Sequence, residues 1–83
     1  MSRSKPVSYS NSDKYIQLGL NIAYFRKLRG LTQEEFAEAV GISRSYLSAI
    51  EAPNVVKTIS LELLFSMAEC LQIDSYKLLV FRE

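Results

Sequence analysis

Histidine and tryptophan are absent from this 83-residue chain, and there is one cysteine, Cys70. Without histidine the chain lacks the commonest general base and the commonest metal ligand. A single cysteine forms neither an internal disulfide nor a multi-cysteine metal site. No apolar run approaches the ~20 residues a membrane span needs. Arg3 and Lys5 lie near the start, but no apolar segment follows to make a secretory signal. An excess of one charge is missing too: ten basic residues face nine acidic ones, for a net charge of +1. Non-specific attraction to a polyanion should therefore be modest. No nucleophile–base pair, metal cluster or phosphate-cradling loop is legible. The expectation is a non-enzymatic, cofactor-free cytoplasmic protein of one domain.

What is present is helical periodicity. Residues 1–12 are polar and serine-rich with Pro6 inside, and they read as a flexible N-terminal arm. Residues 13–83 read as the folded domain. A first helix is expected to start near Ser12, capped by Ser12 or Asn11, with Asp13 at the positive end of its dipole. Ile16, Leu18, Ile22, Phe25 and Leu28 recur along it at near-helical spacing, and Gly30 stops it. The cluster Arg26, Lys27 and Arg29 suits a helix C-terminus.

Thr32 with Glu35 three residues on fits a capping box for a second helix, which Gly41 ends. Ser43 caps a third helix running to about Glu51, with Leu47 and Ile50 inward. Pro53 opens a loop over 53–59. Ser60 caps a fourth helix over 61–71, whose buried face is expected to be Leu61, Leu64, Met67, Ala68 and Leu71. Asp74 or Ser75 begins a short fifth helix carrying Leu78 and Leu79. No alternating strand pattern of useful length occurs. The fold class is all-α, a compact five-helix bundle.

The informative stretch is 32–51, TQEEFAEAVGISRSYLSAIE. Two short helices meet at a tight turn, where Gly41 allows a left-handed backbone without steric cost. Ala37, Val40, Ile42, Leu47 and Ile50 supply the small interior between them. The outer face of the third helix then carries Arg44, Ser45, Ser48 and Ala49. Short and hydrogen-bonding groups on one face suit insertion into the major groove of duplex DNA. Tyr46 fits either against the second helix or along the backbone. Glu34, Glu35 and Glu38 have no His, Cys or Asp partner and read as helix N-terminal charge, not as a metal site.

The run LGLNIAYFRKLRGLTQEEFAEAVGISRSYLSAIE resembles the Cro/CI-type (XRE-like) helix-turn-helix family of phage and bacterial repressors. The resemblance continues through SLELLFSMAECLQIDSYKLL and covers about 16–79. It implies a lambda-repressor-like domain acting as a sequence-specific transcriptional regulator, with repression the expected polarity. By the resemblance, Arg44 and Ser45 contact bases, with Ser48 and Ala49 one turn on. Gln33 binds a phosphate and braces the recognition helix, and Ser43 caps that helix and meets a phosphate. Arg26 and Glu51 match a family ion pair between the first and third helices. The chain departs from the family pattern after the third helix, where only Asn54 and Lys57 remain as polar phosphate candidates.

Phe65, Tyr76, Leu78, Val80 and Phe81 add more apolar surface than so small a domain readily hides. Tyr76, Leu78, Val80 and Phe81 are therefore candidates for a homodimer interface. A twofold dimer would set two recognition helices ~34 Å apart on a pseudo-palindromic double-stranded operator. The alternatives are a restriction-modification controller protein, an antitoxin that binds a partner toxin and represses its own operon, or an interaction module that no longer binds DNA.

Overall fold

The computed structural model describes residues 9–81, with side chains from residue 11 onward. Four α-helices follow one another: α1 (Tyr9–Leu28), α2 (Gln33–Val40), α3 (Arg44–Glu51) and α4 (Leu61–Leu71). A 3-10 helix (Ser75–Leu79) closes the chain where a fifth α-helix was expected. Five residues are too few to repay α-helix nucleation. No side chain caps this segment, since Asp74 at its N-cap makes no such hydrogen bond.

The first helix begins at Tyr9, not near Ser12. Asn11 and Ser12 are therefore inside α1 and do not cap it, and residues 9–12 of the expected arm are helical. Nothing in that stretch blocks a helix, because it holds no Pro or Gly and its Ser and Asn cost only a few tenths of a kcal/mol each. The rest of the expected arm, 1–8, with Arg3 and Lys5, lies outside the described residues. At 20 residues, α1 is about 30 Å long and forms the spine of the bundle.

The caps are formed as the sequence implies. Thr32 accepts the Glu35 N–H at 3.0 Å, and the Glu35 carboxylate accepts the Thr32 N–H at 2.9 Å. Ser43 Oγ accepts from Tyr46 N–H at 3.0 Å, and Ser60 Oγ from Leu63 N–H at 3.1 Å. Gly41 adopts φ 80°, the left-handed turn that swings α3 away from α2. Gln72 ends α4 in the same left-handed conformation, at φ 60°, without glycine's freedom to do so.

α1 packs against α3 and the C-terminal segment, α2 against α3 and α4, and α4 against the C-terminal segment. Leu18, Ile22, Phe36, Ala37, Leu47, Ile50, Leu64, Met67, Ala68, Leu71 and Leu78 form the core. Two residues of the expected apolar stripes are outside it. Leu28 is 62% exposed, since six residues carry it about 240° round α1 from Ile22. Leu61 is 65% exposed; it stands in the first turn of α4 at the edge of the stripe, where no described residue covers it. The basic cluster also divides. Arg26 is buried, while Arg29 crosses to the far end of α4 and donates to the Leu71 carbonyl at 2.6 Å and the Gln72 carbonyl at 3.2 Å. It thus serves the carbonyls that α4, not α1, leaves without helical partners.

Candidate nucleic-acid interface

α3 has two faces of opposite character, and each follows from its eight residues. Leu47 and Ile50 point into the core and are nearly inaccessible. Arg44, Ser45 and Ser48 are exposed, and Ala49 is half-buried. The side chains of Arg44, Ser45 and Ser48 make no hydrogen bond to another described residue. The outer face is one long cation among short groups, so the helix can approach a groove wall closely.

The position of α3 is fixed by a buried polar cluster. Arg26 Nε donates to Glu51 Oε2 at 2.8 Å and Nη2 donates to Oε1 at 3.0 Å, a bidentate pair between α1 and the last residue of α3. Both side chains are under 10% exposed. Arg26 Nη1 also donates to the Leu31 carbonyl at 2.6 Å, in the turn that leads into α2. Gln33 Nε2 donates to Glu51 Oε1 at 3.0 Å, from the first turn of α2. One guanidinium and one carboxylate thereby tie three helices. Every buried side-chain polar atom among the described residues has a partner, the condition under which a buried network specifies a geometry.

This cluster leaves donors to spare. An amide nitrogen carries two hydrogens, so Gln33 keeps one N–H after bonding Glu51. Ser43 Oγ accepts a hydrogen bond as the cap of α3 and still has its own O–H to give. Asn54 and Lys57 are exposed on the loop after α3. The turn at its start holds Val55 N–H to the Ala52 carbonyl at 3.4 Å. Tyr46, which the sequence leaves between two placements, is half-buried. Its hydroxyl donates to the Thr58 carbonyl at 3.0 Å, joining α3 to the end of that loop.

One residue that the sequence reading passes over decides how closely α1 and α3 approach. Gly19 is buried in the middle of α1, and a Cβ built on it would overlap the Ile50 carbonyl oxygen of α3. The available signal was a glycine inside a helical pattern, which costs about 1 kcal/mol against alanine and calls for a packing reason.

The C-terminal candidates separate. Tyr76 and Val80 are 62% and 56% exposed. Leu78 is fully buried in the core of the single chain and is withdrawn as an interface residue. Its burial follows from Asn21, whose amide donates to the Leu78 and Val80 carbonyls at 3.0 Å each and holds the segment on α1. Phe81 is half-buried against the core. Leu20 and Tyr24 of α1, with Val80, line an open groove of about 560 Å³ beside this clamp. Phe65 is 52% exposed on α4.

Among the described residues no helix is long and apolar enough to cross a membrane. A family model described as helix-turn-helix matches residues 22–78. The uncharacterized HTH-type transcriptional regulator YazB of Bacillus subtilis is 58% identical over 36 residues, which are 43% of this chain and 52% of YazB, so the match spans about half of that relative. The restriction-modification controller protein C.AhdI of Aeromonas hydrophila superposes with a TM-score of 0.70 at 28% identity, covering 77% of this chain and 94% of that one. The N-terminal DNA-binding domain of Bacillus subtilis SinR gives a TM-score of 0.71 at 31% identity, covering 82% and 97%. SinR has also been crystallised in complex with DNA.

Proposed function

We propose, from the premise that this chain belongs to the Cro/CI-type (XRE-like) helix-turn-helix family of transcriptional regulators, that it is a homodimeric repressor which lays α3 in the major groove of a pseudo-palindromic operator. The observation that carries the reading is the division of α3. Its inner residues are spent on the core and on the Arg26–Glu51 pair, and its outer residues Arg44, Ser45 and Ser48 are spent on nothing within the described chain. In this reading Arg44 pairs with a guanine edge, as Arg does bidentately to O6 and N7. Ser45 and Ser48 bond neighbouring base edges, and Ala49 meets a thymine methyl. The free donors of Gln33 and Ser43, with Asn54 and Lys57, hold phosphates and fix the register without reading sequence.

The dimer in this proposal forms through the exposed C-terminal residues Tyr76 and Val80, with Phe81 at its margin. The lambda-repressor-like arrangement of two such domains would set the α3 helices ~34 Å apart. The likeness to C.AhdI over nearly its whole length favours a controller-like role. The exposed groove beside Asn21 would equally suit a protein partner, and an autorepressing antitoxin paired with a toxin is the second reading. Both readings place the protein in the cytoplasm.

Selection of bound duplexes from a random library at stated salt tests the proposal. Enrichment of an inverted repeat supports a dimeric operator binder. No enrichment at low salt would refute it, and a small protein that co-purifies with the chain would then favour the antitoxin.

A further inference from the structure

The loop between α3 and α4 carries two of the four candidate phosphate ligands, Asn54 and Lys57, yet it has little structure of its own. Its backbone closes one turn, from Val55 to Ala52, at its start. Asn54, Val56, Lys57 and Thr58 are exposed, and Ile59 is half-buried against the core just before the Ser60 cap. A surface loop with so few internal bonds samples many conformations. A long, flexible lysine on it would meet a given phosphate only part of the time.

Tyr46 changes that. It stands in the first turn of α3, where its own N–H is held by Ser43, so its Cα is fixed relative to the reading face. Its ring is packed against the core. Its hydroxyl donates to the carbonyl of Thr58, the residue covalently next to Lys57. Among the described residues this is the one side-chain hydrogen bond that joins α3 to the loop.

We propose that Tyr46 is a positioning residue for DNA binding: through Thr58 it locks the second half of the 53–59 loop to the recognition helix and so holds the Lys57 ammonium in register with the base-reading face. The inference rests on the DNA-binding reading above. Its physical content is a population argument. A contact available in only a fraction of conformers weakens apparent affinity by that fraction, and the phenol raises the fraction without itself touching the duplex.

The test is a double-mutant cycle of Tyr46→Phe and Lys57→Ala, using the duplex recovered by selection. Phenylalanine keeps the ring, so the fold should stand, with the melting midpoint lowered by about 4–8 °C for the one lost hydrogen bond. Lys57→Ala should weaken binding roughly tenfold per subunit, as for a lost charge-assisted contact, and lower the salt-dependence slope of the dimer by about 1.8, about 0.9 for each of its two Lys57 contacts. Tyr46→Phe should weaken binding roughly fivefold per subunit, of the order of one lost neutral hydrogen bond in each, and reduce the same slope. It should also speed amide exchange over residues 55–59 in the free protein. In the Lys57→Ala background Tyr46→Phe should have no further effect on affinity.

An undiminished effect of Tyr46→Phe in the Lys57→Ala background would overturn the proposal, because the phenol would then act on the duplex directly or through α3. So would unchanged affinity of Tyr46→Phe alone. Wild-type protein that selects no duplex sinks the DNA-binding reading itself, which separates that failure from this one.

Discussion

Replacing Gly19 by alanine adds one methyl group where the backbones of α1 and α3 approach closely. Two effects compete. Alanine is the better helix former by about 1 kcal/mol in a helix interior. Against this, the new Cβ meets the carbonyl oxygen of Ile50, a backbone atom that no rotamer change can move aside. Overpacking a well-filled core costs about 1–3 kcal/mol, and a backbone obstacle puts this site at the upper end or above it. Relief requires α3 to move off α1, which would loosen Leu47 and Ile50 and stretch the 2.8 Å Arg26–Glu51 bond. The net expectation is a loss of about 2 kcal/mol. A domain of this length is stable by about 4–12 kcal/mol, so the loss is a large share. At about 4–8 °C per kcal/mol for so small a domain, the melting midpoint should fall by about 8–16 °C. Urea unfolding followed by far-UV circular dichroism gives the free energy, and a thermal melt gives the midpoint. Stability equal to or above wild type would show that helix propensity outweighs the contact, and the close approach of the two helices would have to be abandoned.

Arg26→Ala should cost ~3–5 kcal/mol, because it leaves the Glu51 carboxylate buried without its cation; a urea midpoint within error of wild type would contradict this. Arg44→Ala should leave the thermal melt unchanged and cost ~1–3 kcal/mol of discrimination at one base pair, read by competition with single-site duplex variants. Gln33→Ala should instead weaken all duplexes alike, with some loss of stability because Glu51 loses a donor; a change confined to one base pair would assign it to base reading. Gln72→Gly should stabilise the chain by about 0.5–1 kcal/mol, since glycine adopts the left-handed end of α4 without the Cβ penalty but is freer when unfolded; a lower melting midpoint would show that the Gln72 side chain contributes more than its backbone strain costs.

How far these features could be read from the chain alone depended on their range. Thr32, Ser43 and Ser60 act on amides three residues away, and each is a cap as expected because the partner is fixed by helix geometry alone. Gly41 is likewise local. The stripe Leu64, Met67, Ala68 and Leu71 is legible because its members recur at the three- and four-residue spacing of one helix face, whereas Leu61 at the helix start depends on whether a neighbour reaches it. The start of α1 was missed because polar residues without Pro or Gly carry no stop signal. Leu78 was assigned to an interface by counting apolar residues, but whether it faces in or out is decided by Asn21, 57 positions away. The role of Gly19 and the placement of Tyr46 depend in the same way on partners in other elements. Of the candidate site, the outward set Arg44, Ser45 and Ser48 followed from helical spacing, and its anchoring through Arg26 and Glu51 came from the family resemblance.

The two faces of α3 have a consequence for how such a protein can change. Residues that hold the helix in place, Leu47, Ile50 and Glu51, are not those that face outward. Arg44, Ser45 and Ser48 carry no internal load, so substitutions there are drawn from the class of surface changes that usually move stability by no more than about 0.5 kcal/mol. If these residues read the target as proposed, a lineage exchanges one target for another in single steps, each passing through a folded protein. Divergence of preference would be limited by the duplexes on offer and hardly at all by the scaffold.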